Sequence, residues 1–108
     1  MLYELRVYEL IRESKEGTHY RFENYTVPLF KKHGFRIIGF WETIIGPNTP
    51  TLTYILQWTD LNERQAKFDA FFNDPEWIEA LRVTAAGGPY ITRIHSSIMT
   101  PTKYSPLQ

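Results

Sequence analysis

The chain has 108 residues, 43% of them hydrophobic and 16% aromatic, and its twelve Lys and Arg are balanced by twelve Asp and Glu. That composition excludes intrinsic disorder, and a net charge of zero lacks the basic excess of an electrostatic nucleic-acid binder. With no cysteine, disulfides and thiol chemistry are removed, which fits a cytoplasmic protein.

The first ten residues carry Glu4, Arg6 and Glu9, so they read neither as a signal-peptide core nor as a membrane span, and no membrane association is expected. They alternate instead. Tyr3, Leu5 and Val7 fall on one face and Glu4, Arg6 and Tyr8 on the other, a period-two strand. The polar run ending at Gly17 reads as a loop, with Thr18 as helix cap. Phe22, Tyr25 and Leu29 then lie three and four apart, on one face of a helix from Thr18 to Lys32. Pro28 has no N–H to donate, so that helix should loosen between Asn24 and Val27. Lys31, Lys32 and Gly34 close it.

The stretch HGFRIIGFWETIIG predicts a second strand with Gly39 in its middle, and Gly46, Pro47, Asn48 and Pro50 predict the turn after it. TLTYILQW is a third strand, with Tyr54, Leu56 and Trp58 opposite Thr53, Ile55 and Gln57. Asp60 with Glu63 three residues on caps a second helix, whose stripe is Phe68, Phe71 and Phe72. Asp74, Pro75 and Glu76 restart the helix; Trp77, Ile78 and Leu81 give it an inward face, and Gly87 and Gly88 stop it. YITRIHSSIM is a fourth strand, followed by an extended, proline-bearing arm.

The order βαββαβ predicts one α+β domain over residues 1–108: a ferredoxin-like, antiparallel four-stranded sheet with strands one and three central and the helices on one face. Tyr3, Leu5, Val7, Tyr54, Leu56 and Ile94 are expected under the helices. The open face is expected to collect Glu4, Arg6, Tyr8, Ile38, Phe40, Glu42, Thr53, Ile55, Gln57, Arg93, His95 and Ser97. Its mixture of apolar and charged groups predicts a homodimer joined sheet to sheet, with Glu4, Arg6, Phe40, Glu42, Gln57, Arg93 and His95 at the interface. Gly39 is expected to point with Ile37 and Trp41 toward the helices; it marks either a hollow beneath the loosened helix or a plain bulge.

Five motifs carry a resemblance over nearly the whole chain: YELRVYEL at the start, PLFKKHGFRIIGFW from Pro28, W-x-D-L-x-E-R from Trp58 to Arg64, DPEW from Asp74 and PTKYSP near the end. In order and spacing they resemble the NIPSNAP family. The resemblance implies a dimeric α+β barrel, in which two ferredoxin-like sheets close with helices outside. Relatives on that fold include cofactor-independent monooxygenases, isomerases and haem-binding enzymes. Eukaryotic family members are associated with mitochondria, an association not expected here because the chain shows no Arg-rich amphipathic leader.

For chemistry, Arg6 is the best candidate to hold a carboxylate, its alternative being an ion pair with Glu4 or Glu42. His95, taken to lie near Arg6, is the second catalytic candidate, against structural pairing in the dimer. Tyr54, Trp41, Trp58, Trp77, Gly39 and His19 are candidates to line a ligand hollow, with ordinary core packing as the alternative for the aromatics. Arg64 is placed to tie the second helix to the sheet end. No nucleophile motif, phosphate loop or metal-ligand spacing is present, so neither cofactor nor metal is expected. The readings left open are a dimer that binds a small organic molecule, as an enzyme or not, and a dimeric protein-interaction module with a filled interior. RNA binding is disfavoured because strand three lacks the basic, glycine and aromatic run of the RNA-reading version of this topology.

Overall fold

β1 (Leu2–Leu10) and β3 (Thr51–Trp58) pair antiparallel at the centre of a four-stranded sheet, with β2 (Arg36–Glu42) and β4 (Ile91–Met99) at its edges. A computed structural model describes residues 1–108. α1 (Lys15–Arg21), a π-helical turn (Phe22–Thr26), α2 (Val27–Lys32), α3 (Leu61–Phe72) and α4 (Pro75–Thr84) complete the chain, with short 3-10 turns at Arg12–Ser14 and Ala85–Gly87. The fold is α+β and ferredoxin-like. No helix is long and apolar enough to cross a membrane.

The helix boundaries follow local chemistry. The carboxylate of Asp60 accepts the Glu63 N–H at 2.8 Å, and that of Asp74 accepts the Glu76 N–H at 2.8 Å, with Pro75 in the first helical position. The first helix begins earlier than expected: Gly17 and Thr18 lie inside α1, not in a loop and at its cap. Gly17 is needed there because a Cβ would stand 2.9 Å from the ring of Tyr90. Pro28 has the expected effect. Without its N–H the α-helical ladder cannot close on Asn24, and the Val27 N–H reaches back five residues to the Phe22 carbonyl instead.

The core is aromatic. Phe30 stacks on Phe35 at 4.4 Å between ring centres, and Phe68, Phe71 and the fully buried Trp58 surround that pair. α4 buries Ala80 and Thr84 rather than Ile78, which is exposed. Phe72 and Leu81 are also half out of the core.

Two expectations about the sheet faces are corrected. β1 is turned over: Arg6 pairs with Tyr54 and Tyr8 with Leu52 across the sheet, so Glu4, Arg6 and Tyr8 face the helices while Leu5 and Val7 lie on the open face. Alternation separates two faces but does not say which one is inward. In β2 the register slips between Ile37 and Gly39, and this bulge reverses the side-chain phase beyond it. Phe40 therefore packs on the helix side against Tyr54, 5.0 Å between rings, and Glu42 follows it. Gly39 and Trp41 lie on the open face, where the indole folds over Gly39 so closely that a Cβ would sit 2.8 Å from it. Gly39 thus marks a bulge roofed by Trp41, not a hollow under the helix.

The C-terminal arm turns back instead of extending. The Tyr3 hydroxyl donates to the Gln108 carbonyl at 2.7 Å, and Leu107 and Pro101 lie beside Tyr3, Ile55 and Met99. One end of the open face is covered in this way. Ile94 is on the helix side as expected but remains 48% exposed, because the helices do not reach across β4.

Loss of the Asp60 cap should loosen the first turn of α3, which carries Arg64. Asp60→Ala is expected to cost about 1 kcal/mol and lower Tm by about 4–8 °C in thermal unfolding followed by circular dichroism.

Candidate functional site

The inward charges of β1 meet partners from three other elements. Glu4 is fully buried and its carboxylate accepts five hydrogen bonds: two from Arg64 of α3 (2.7 and 3.0 Å), one from the Trp58 indole (3.0 Å), one from Ser96 of β4 (2.6 Å) and one from Arg6 (3.0 Å). Burial alone would raise its pKa, but the hydrogen bonds from Arg64, Ser96 and Trp58 outweigh it and hold the carboxyl at about 2, against an ordinary 4.5. Arg64 ties its helix to the sheet, as expected. Arg6 donates to the Tyr54 hydroxyl at 2.7 Å and to the Tyr8 hydroxyl at 3.1 Å, with its guanidinium 5.3 Å from the Phe68 ring centre. Burial pushes the Tyr54 hydroxyl well above its usual pKa, so it stays a neutral hydrogen-bonding group beside Arg6.

Next to this cluster lies a cavity of about 220 Å³ between the sheet, the π-helical turn and the α3–α4 pair. Phe22, Phe30, Phe68, Phe71 and Trp77 give its wall an aromatic character. Ile94, Phe72 and Leu81 also line it and are 48%, 54% and 40% exposed, which sets its mouth beside β4. Its polar lining is Arg6, Tyr8, Arg21 and Thr26. The Thr26 hydroxyl is buried without any hydrogen-bond partner, a costly state for a polar group. Both Phe22 and Thr26 belong to the π-helical turn, so the missing N–H of Pro28 shapes this wall.

The predicted pocket residues divide. Trp77 lines the cavity. Tyr54 and Trp58 are fully buried behind it and hold Arg6 and Glu4. Trp41 and Gly39 are on the other face of the sheet. His19 borders a separate open cleft with Phe22, Val27, Phe40 and Glu42, where its ring lies 3.0 Å from the Glu42 carboxylate. Arg6 and His95 do not share a site. Arg6 is opposite Ser96, while His95 is opposite Val7 on the open face, paired with Glu9. Of the proposed interface residues, Gln57, Arg93 and His95 are on the open face, whereas Glu4, Arg6, Phe40 and Glu42 are not. Arg21, Tyr8 and Thr26 are not singled out as site residues by the sequence; the helix irregularity before Pro28 is a signal for Thr26 alone.

The NIPSNAP family model matches residues 3–106. The chain belongs to the NIPSNAP family. Among solved structures, an uncharacterized NIPSNAP-like domain protein from Burkholderia xenovorans is 26% identical, with a TM-score of 0.84 over 97% of this chain and 88% of that one. A NIPSNAP family protein of unknown function from Agrobacterium tumefaciens is 25% identical, with a TM-score of 0.87 over 100% of this chain and 94% of that one. A putative antibiotic biosynthesis monooxygenase from Nitrosomonas europaea shares the fold alone: 9% identity and a TM-score of 0.64 over 94% of this chain and 98% of that one. Among curated proteins none is significantly similar.

The buried carboxylate makes a prediction for this NIPSNAP chain. Glu4→Gln leaves two guanidiniums facing a neutral amide and should cost about 3–5 kcal/mol in urea unfolding at pH 7. Because the folded pKa of Glu4 is depressed, its stabilisation is complete above pH 4.5 and lost as pH falls toward 2. The variant should lose less stability than the parent across that window.

Proposed function

We propose that this NIPSNAP chain binds a small, flat organic molecule in the cavity beneath the π-helical turn, as one half of a homodimer joined through the open sheet face. The observation that carries the first part is an aromatic-walled cavity of about 220 Å³, open at one side, with the guanidiniums of Arg6 and Arg21 in its lining. Pockets of this kind, apolar with a few convergent polar groups, are where small molecules bind.

The support for the second part is geometric. Leu5, Val7 and Ile55 lie on a sheet face with no helix over it, and Trp41 adds a half-exposed indole. The molecule is a slab of 45 × 36 × 18 Å with a surface of 6926 Å², above the roughly 6,300 Å² expected for a monomer of its mass. A second copy laid on that face would cover its aliphatic strip, with Gln57, Arg93 and His95 around it.

As for chemistry, the cavity is lined by neither a carboxylate nor an imidazole; its titratable groups are Arg6, Arg21 and Tyr8. That lining supports binding over proton abstraction by a strong base. The monooxygenase likeness is one of fold and brings no residues with it. The interaction-module reading draws on Ile44 and Ile45, which stand 89% and 94% exposed in the β2–β3 connection and suit a contact between proteins.

Two measurements separate these readings. Ile94→Trp narrows the cavity mouth at a half-exposed position. A small aromatic compound that raises Tm of the parent should raise it at least tenfold less effectively in the variant, in titrations followed by thermal shift. If no such compound from a broad panel shifts Tm, the interaction module is the better reading. In sedimentation velocity at micromolar concentration the parent should run as a dimer and Val7→Asp as a folded monomer; a parent that is monomeric removes the dimer.

A further inference from the structure

The charges around the cavity do not balance. Two guanidiniums, those of Arg6 and Arg21, line the cavity, and Glu4 is the one carboxylate among their partners. Arg6 and Arg64 share it. Arg21 has none. Its Nε donates to the Thr84 hydroxyl at 2.8 Å, and its guanidinium lies 4.4 Å from the centre of the Tyr90 ring. Burial pushes its pKa down, and the neighbour that acts against this is a tyrosine rather than an acid.

Arg21 is nevertheless held in place. The Tyr90 ring beneath it is wedged against Gly17, where a Cβ would stand 2.9 Å away, and its hydroxyl donates to the Thr84 carbonyl at 2.9 Å. Thr84 is fixed in turn by donating to the Ala80 carbonyl at 2.7 Å. A positioned, partly desolvated cation with no counter-charge, at the wall of an apolar cavity, is a state that an anion relieves. Arg6 has capacity as well. Three of its N–H groups are used, on Tyr54, Glu4 and Tyr8. A guanidinium has five.

We propose that the ligand is a monoanionic aromatic carboxylate, its ring between Phe22, Phe71 and Trp77 and its carboxylate on Arg21. The planar fork of arginine suits a carboxylate better than any other common anion of this size except phosphate, and the aromatic wall leaves no solvated space for a phosphate's further charge. Size agrees: an apolar cavity of about 150 Å³ takes benzene, so one of about 220 Å³ takes a ring with its carboxylate.

This inference rests on the binding role proposed for the cavity and is tested with charged and neutral probes of one shape. Benzoate and phenylacetate are compared with benzamide and phenylacetamide by isothermal titration, on the full chain and on Arg21→Gln, Arg21→Lys and Thr84→Val. The acids should bind the parent at least tenfold more tightly than the amides. Arg21→Gln should abolish that preference and Arg21→Lys should keep part of it. Thr84→Val removes the structural hydrogen bond but leaves the charge, so it should keep most of the preference. Equal affinity for acids and amides, or a preference that survives Arg21→Gln unchanged, overturns the anion assignment while leaving the cavity a binding site. Failure of all four probes to bind the parent overturns both.

Discussion

A buried carboxylate on the central strand governs the rest of this molecule. Glu4 has no exposure to solvent, and an ion in that position is tolerated only when its oxygens are fully satisfied. Five donors from β1, β3, β4 and α3 do so. Once Glu4 is committed inward, strand geometry commits Arg6 and Tyr8 to the same side and sends Leu5 and Val7 to the other. The strand thus carries Glu4 and Arg6 under the helices and Leu5 and Val7 outward, the reverse of the usual arrangement. An uncovered aliphatic strip is the direct consequence, and the proposed homodimer rests on it.

The same commitment prepares the cavity. Arg6 is kept in an apolar interior because Glu4 balances it and because the Tyr8 and Tyr54 hydroxyls accept from it. Opposite, the helix wall is irregular for a separate reason: Pro28 withholds one N–H, the chain closes a wider turn, and Phe22 and Thr26 are presented together. Two unrelated local events, an inward ion pair and a helix irregularity, therefore face each other across about 220 Å³. NIPSNAP membership adds the family and the fold, and leaves the chemistry to these residues.

Much of the architecture was legible in the sequence, because it depends on near neighbours. Asp60 and Asp74 cap helices through residues two and three positions away, and Pro28 perturbs the turn that contains it. Strand order followed from the element order alone. What could not be read was the direction of each face. The partners that turn Glu4 inward, Trp58, Arg64 and Ser96, lie 54, 60 and 92 residues away. A single extra residue at the β2 bulge likewise reversed Phe40, Glu42, Gly39 and Trp41 together, since a period of two has no tolerance for a slip. The misplacement of His95 beside Arg6 came from the first of these errors. Arg21 escaped notice because its neighbours, Thr84 and Tyr90, come from the far end of the chain.

The claim that the Glu4 cluster sets the orientation of β1 is tested most directly by a double-mutant cycle between Glu4→Gln and Arg64→Met, followed by urea unfolding at pH 7. A charge-assisted contact to a fully buried carboxylate predicts a coupling of about 1.5–3 kcal/mol. Costs that simply add, within about 0.5 kcal/mol, would contradict the account and leave the inward turn of the central strand without its cause.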